Sequence, residues 1–304
     1  MDWPGQLSKM ENKLIVIVGP TASGKSDLAV KIAKKIGGEV ISADSRQIYA
    51  GMDIGSGKIT KKEMMGIPHH LLGVANPRRQ FSVARFKKLA NEAIKKIRSE
   101  NKVPILCGGT GLYIQSVVDG ILIPEVKPNF LLRSKLSRKT TAQLYEMLKK
   151  MDPRRAGSID KFNPRRLIRA IEIIKTTGDI VPELKKKPLP YPVLIIGIKI
   201  SQARLAKLIK KRLLRRISGL IAEVKKLRAS GLSYRRLESF GLEYRFAALY
   251  LQKKISRLQM IEMIQNDSNH YAKRQMTWFR RDSRINWVND KKKTVLLTLK
   301  YLSR

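Results

Sequence analysis

Apolar residues in this chain gather in short runs separated by stretches with a helical period. Four runs read as buried parallel strands: Leu14–Val18, Glu39–Ala43, Val103–Cys107 and Val193–Ile200. Each is brief, rich in β-branched residues and bounded by Gly or Pro, as strands covered on both faces are. Between them the period lengthens. Leu28, Ile32 and Ile36 recur at i, i+4 and i+8, and Val83, Phe86, Ala90, Ala93 and Ile97 share one face of a longer helix. Strand alternating with helix predicts an α/β fold with helices on both faces of a parallel sheet.

After Gly120 the pattern changes. No strand is predicted between 127 and 187, where two helical patterns stand out, near Ala142–Met151 and Pro164–Thr176. The Pro-rich stretch Lys187–Pro192 then leads into the fourth run. The expected organisation is a tail at 1–12, a core built from 13–126 and 188–304, and a mostly helical insertion at 127–187. From Gln202 onward the chain reads as helical and strongly basic.

The first strand runs directly into Gly19-Pro20-Thr21-Ala22-Ser23-Gly24-Lys25-Ser26 and then a helix. This is the phosphate-binding pattern G-x-x-x-x-G-K-[ST] in its required strand–loop–helix setting. The glycines let backbone N–H groups turn toward an anion, and the helix N-terminus adds its dipole. Lys25 supplies a point charge, and Ser26 is placed to ligate Mg²⁺. The fold is thus expected to be a P-loop NTPase-like parallel sheet with flanking helices and a helical insertion. The pattern specifies a bound di- or triphosphate but not the compound or the reaction.

The second strand ends in Asp44-Ser45-Arg46-Gln47. In a parallel sheet the site lies beyond the carboxyl ends of the strands, so Asp44 is expected to face the same cleft as Lys25. Its position suits a Mg²⁺ ligand or a general base and does not choose between them.

Charge adds a partner. The chain of 304 residues has 63 Lys+Arg against 24 Asp+Glu, a formal net charge of +39. So large an excess predicts a polyanion, and nucleic acid precedes membrane because no amphipathic anchor stands out. A lone cysteine, Cys107, rules out a disulfide framework or Cys-rich zinc site within one chain. No run approaches the length of a membrane span, and the N-terminus lacks a signal peptide's apolar core, so a cytoplasmic protein is expected. His69, His70 and His270 lack metal-ligand spacing and are expected to be ordinary hydrogen-bonded histidines.

Several blocks together resemble the tRNA dimethylallyltransferases. They are Gly19–Ser26, Ile41–Tyr49, Gly51–Lys58, His69–Leu72, Gly108–Tyr113, Arg166–Glu172 and Ala272–Arg280, in order along nearly the whole chain. The resemblance implies transfer of a dimethylallyl group from dimethylallyl diphosphate to N6 of the adenosine 3′ of the anticodon, position 37. It implies that the P-loop holds the donor's diphosphate rather than ATP. Asp44 becomes the expected general base, with Thr110 and Arg133 orienting the adenosine and the diphosphate. It also implies tRNA contacts at Asp44, Ser45, Arg46 and Gln47, at Thr110 and Arg133, at Arg165, Arg166, Leu167, Ile168 and Arg169, and at Lys273, Arg274, Gln275 and Arg280. The expected enzyme is a monomer using Mg²⁺. Two segments differ from the family's usual pattern, Phe240–Arg245 and the Ser218-Gly219 stretch of Arg216–Leu227, and no role is carried to them.

Two basic segments fit an RNA partner. Arg204–Arg216 carries seven Lys or Arg in thirteen residues, interleaved with leucines and Ile209, as an amphipathic helix with a basic face would. Lys273, Arg274, Arg280, Arg281 and Arg284 surround Trp278 and Phe279, whose rings are expected in the core. Three other readings compete: a P-loop kinase of a nucleotide or small metabolite, a prenyltransferase acting on free adenine nucleotides, and a non-catalytic RNA-binding P-loop protein. The charge and the Ala272–Arg280 block argue against the first two. The intact Lys25, Ser26 and Asp44 argue against the third.

Overall fold

The computed structural model describes residues 13–303 except 123, 125 and 184, with the side chains of Lys291 and Lys292 also left aside. The expected tail at 1–12 lies outside the described residues. The chain falls into two compact units, one of residues up to 120 together with 188 onward, the other of 121–187.

The larger unit is built on a six-stranded parallel sheet. Its strands are β1 (Leu14–Val18), β2 (Glu39–Ser42), β3 (His69–His70), β4 (Pro104–Gly108), β5 (Val193–Ile198) and β6 (Ile285–Val288), in the order β3-β2-β4-β1-β5-β6. All four predicted runs are strands. The two edge strands were not predicted. β3 is only two residues long, and β6 is a short Ile-Asn-Trp-Val segment with an exposed Asn286, so neither carries an apolar run.

Period-two alternation along β1 divides the core. Leu14, Val16 and Val18 belong to one apolar cluster and Ile15 and Ile17 to the other, all fully buried. The cluster around Ile15 is closed by α1 (Lys25–Ile36). Its buried Leu28, Ile32 and Ile36 are the i, i+4, i+8 set read from the sequence. Between β2 and β3 stands the single-turn α2 (Lys61–Met64), held by a Thr60/Glu63 capping box. The opposite face is covered by α3 (Val83–Ser99) and α4 (Gly111–Val118).

In the inserted unit, α5 (Phe130–Leu136), α6 (Thr141–Met151), α7 (Pro153–Ser158) and α8 (Pro164–Thr177) pack around Leu136, Leu144, Leu148, Leu167 and Ile171. Proline opens α7 and α8, where its missing N–H costs nothing.

The carboxyl-terminal part of the larger unit holds α9 (Gln202–Ala229), α10 (Tyr234–Ser239), α11 (Leu242–Leu251), α12 (Arg257–Phe279) and α13 (Lys291–Leu302). α9, α11 and α12 add Leu213, Leu220, Val224, Tyr244, Ala247, Met260, Ile264 and Phe279 to the cluster around Leu14. No helix among the described residues is long and apolar enough to cross a membrane.

Candidate active site

The loop after β1 is shaped to receive an anion. Gly24 is the N-cap of α1 at φ 85°, a left-handed conformation that glycine adopts without Cβ strain, and no side chain caps the helix. α3, α9, α10 and α12 begin instead with serines that accept a backbone N–H. The first N–H groups of α1 are thus free of a side-chain cap beside Lys25.

Thr21, Ala22, Gly24, Lys25 and Ser26 form one wall of a cavity of about 600 Å³ at the carboxyl ends of β1, β2 and β4. Asp44 and Gln47 lie on another wall, Arg212 and Tyr271 on a third. Pro20 turns its carbonyl to the Lys25 ammonium, which donates to it at 2.7 Å. Burial pulls the Lys25 pKa from 10.5 down to about 8, against the opposing pull of Cys107 and Asp44 and with the positive charge of Arg212 adding to the drop. Cys107 behaves as inert wall, since burial pushes its thiol up to about 12.

Asp44 is fixed by its own turn. Its Oδ1 accepts from the N–H groups of Arg46 (2.8 Å) and Gln47 (3.3 Å), while Oδ2 takes no hydrogen bond from any described residue. Thr110 Oγ1 accepts from the Ser45 N–H at 3.0 Å, which ties this turn to the loop after β4. Asp44, Thr110 and the P-loop therefore meet, as the sequence order of strand ends required.

Three predicted residues sit elsewhere than an RNA surface. Gln275, expected to touch tRNA, is buried. Its Oε1 accepts from the Thr21 N–H at 2.8 Å and its Nε2 donates to the Gly109 carbonyl at 2.8 Å. It buttons the P-loop to the loop after β4, and Gly109 admits it because a Cβ there would collide with the amide. In the inserted unit Leu167 is wholly buried and Ile168 packs on the same core, so neither is an exposed contact.

The cations divide similarly. Arg165 and Arg166 are exposed, as are Lys273, Arg274, Arg280 and Arg281. Phe279 is buried and Trp278 packs against the core. Arg284 is paired with Asp119 and Asp282, both at 2.7 Å. In the inserted unit Arg133 makes a bidentate pair with the fully buried Glu172, at 2.7 and 2.6 Å, and Arg169 joins at 2.6 Å. Burial raises the Glu172 pKa, but hydrogen bonds from Arg133, Arg169 and the Asn129 N–H outweigh it and hold the carboxyl below its usual range. Arg133 and Arg169 are therefore part of that unit's internal framework.

Sequence reasoning missed Arg212. It counted this residue with the outer basic face of α9, yet the guanidinium enters the cavity and donates to Thr21 Oγ1 at 2.5 Å. Burial lowers its pKa, as it does for Arg216, which burial and the charge of Arg212 bring down to about 10. The desolvated Arg212 guanidinium, on the same cavity as Lys25, favours an anion there. The only hint in the sequence was Arg212 adjoining the buried Leu213.

Glu223 and Tyr244 were also missed. Both fall in the segments that differ from the family pattern. Glu223 Oε2 accepts from the N–H groups of Asp53 and Ile54, both at 2.7 Å, and Oε1 from the Gly55 N–H at 3.0 Å. Tyr244 donates to Oε1 at 2.7 Å and accepts from the Ser56 N–H at 3.1 Å. One carboxylate and one phenol thereby hold the Gly51–Lys58 loop, which contributes Ser56 and Gly57 to the cavity.

A phosphate loop, a carboxylate and an inward arginine thus line one cavity. The family model described as IPP transferase matches residues 47–282. The chain belongs to the IPP transferase family. It is 42% identical to the tRNA dimethylallyltransferase of Carboxydothermus hydrogenoformans over 298 residues, covering 94% of each chain. It is 41% identical to that of Anoxybacillus flavithermus, covering 92% of this chain and 91% of the relative. The full-length tRNA isopentenylpyrophosphate transferase of Bacillus halodurans superposes with a TM-score of 0.71 at 36% identity, covering 96% of both chains. A eukaryotic dimethylallyltransferase acting on tRNA gives 0.80 at 25% identity, covering 96% of this chain and 80% of that one. Against these IPP transferases the parallel sheet with its P-loop is the shared frame.

Proposed function

We propose that this protein transfers the dimethylallyl group from dimethylallyl diphosphate to N6 of the adenosine 3′ of the anticodon, position 37, in tRNA. The observation that carries the reading is the facing of two cations, Lys25 and Arg212, and one carboxylate, Asp44, across a single cavity. The names of the relatives supply the substrates, and the net charge of +39 supplies the reason an RNA binds.

The amine of adenine is a weak nucleophile because its lone pair is delocalised into the ring. Asp44, with Oδ2 available, takes a proton from N6 as N6 bonds to C1 of the donor. The C1–O bond breaks and its electron pair leaves with the diphosphate. Lys25, Arg212 and the uncapped N–H groups of α1 stand where that charge develops. Thr110, by anchoring the Ser45 N–H, keeps Asp44 in register.

The donor set around the P-loop fits Mg²⁺. Ser26 and Asp44 bring hard oxygens to the same cavity, and among the described residues no group of three or more His, Cys, Asp or Glu could hold a cation unaided. Ser26 would hold the ion together with diphosphate oxygens, and when bound it would add positive charge at the leaving group. Exposed Lys273, Arg274, Arg280 and Arg281 supply phosphate contacts for the RNA, with Arg165 and Arg166 on the inserted unit.

Incubation with labelled dimethylallyl diphosphate and either bulk tRNA or AMP tests the reading. Label is expected in tRNA alone. Transfer to AMP, or tighter binding and turnover of ATP than of the prenyl donor, would replace it.

A further inference from the structure

The cavity continues below the diphosphate and the base. Val40, Ser42 and Asp44 all line it, at i, i+2 and i+4 along one face of β2 and its extension. Four residues at about 3.3 Å each give a depth of roughly 13 Å from the carboxylate to Val40. His69 pairs in register with Val40 on the parallel neighbour β3, so its side chain falls on the same face and at the same depth. It too lines the cavity. Ile59, Met65, Leu72 and Cys107 give this part of the lining an apolar surface for an allylic tail, with Lys62 and Glu63 lining the cavity beside them.

His69 brings a ring nitrogen to this part of the wall. Its Nδ1 lies 2.8 Å from the Ile67 carbonyl, a contact that requires the proton on Nδ1 and leaves Nε2 as a bare acceptor. Nε2 is buried and has no hydrogen-bond partner among the described residues. Burial also holds the imidazole below its ordinary pKa, so the neutral tautomer prevails at pH 7. The neighbouring His70 differs, since its Nε2 lies 2.6 Å from Glu39. A buried acceptor that has no protein partner and belongs to a residue of the cavity wall is satisfied by a ligand O–H.

Resting on the proposed reaction, we infer that His69 is a donor-selectivity residue: its Nε2 accepts a hydrogen bond from a hydroxyl on the terminal carbon of the allylic chain. The protein then uses a terminally hydroxylated allylic diphosphate as well as the plain dimethylallyl compound. Pocket size alone would treat a hydroxyl and a methyl at that carbon alike, because they fill similar space.

The test compares three donors in transfer to tRNA: dimethylallyl diphosphate, its terminally hydroxylated form, and the form with methyl in place of that hydroxyl. In the wild type, kcat/KM for the hydroxylated donor is expected to exceed that for the methyl analogue by about tenfold, the effect of one buried hydrogen bond. In His69→Phe the ratio is expected to fall to about one or below. An equal loss with all donors would make His69 merely structural, and a wild-type ratio at or below one would overturn the inference without needing any variant. No transfer from any of the three donors would instead remove the reaction on which it rests.

Discussion

Replacing Lys25 by Met should make the unliganded protein more stable and unable to use diphosphate. The drop in the Lys25 pKa from 10.5 to about 8, at about 1.4 kcal/mol per pH unit, means that keeping this ammonium charged in the fold costs about 3 kcal/mol. Met retains the apolar stem and removes the charge. It also removes the 2.7 Å hydrogen bond to the Pro20 carbonyl, a loss of about 1 kcal/mol. The net gain at pH 7 is about 2 kcal/mol. Its pH dependence follows from linkage. Below about pH 8 both folded and unfolded wild type carry the proton and the full cost persists. Between about 8 and 10.5 the unfolded state binds more protons, so wild-type stability climbs with pH and the variant's advantage disappears. Urea unfolding of both proteins from pH 6.5 to 10, repeated with inorganic diphosphate, reads all of this. Diphosphate should stabilise the wild type alone. A variant less stable than wild type at pH 7, or a difference that stays flat to pH 10, would refute the argument.

Asp44→Asn keeps the shape of the turn, so tRNA affinity should hold while single-turnover transfer falls by on the order of 10² to 10⁴; near-normal turnover would leave the carboxylate as a turn former only. Glu223→Gln replaces an acceptor of four hydrogen bonds with an amide half of which cannot accept. Equilibrium unfolding should show a loss of about 3 kcal/mol, against about 1 kcal/mol for Tyr244→Phe, and equal losses would contradict the ranking. Neutralising the exposed Arg280 and Arg281 together should lower the slope of log K for tRNA against log salt by about one to two, because fewer counterions are released. An unchanged slope would place them off the RNA.

Local pattern was enough for the sheet's centre and the phosphate loop. Strands β1, β4 and β5 are legible because burial on both faces makes them apolar over most of their length, and β2 by its central Val40-Ile41 followed by Ala43. Gly19–Ser26 is legible because an anion held by backbone needs glycine, lysine and a hydroxyl at fixed spacing in one contiguous segment. The meeting of Lys25 with Asp44 follows from parallel topology, which brings all carboxyl ends to one edge. What the sequence could not decide was the direction of polar side chains on amphipathic helices. Arg212 flanks the buried Leu213 on α9, and only the packing of that helix beside the P-loop turns it into the cavity rather than toward solvent. The same holds for Gln275, which looked like an RNA contact within a basic block and is buried between two loops. Glu223 reaches the Gly51–Lys58 loop across about 170 residues of sequence, and the hydrogen bonds it supplies have no local signature. Periodicity reports which face of a helix is apolar; which polar residue at the margin of that face finds a partner depends on what the fold brings opposite it.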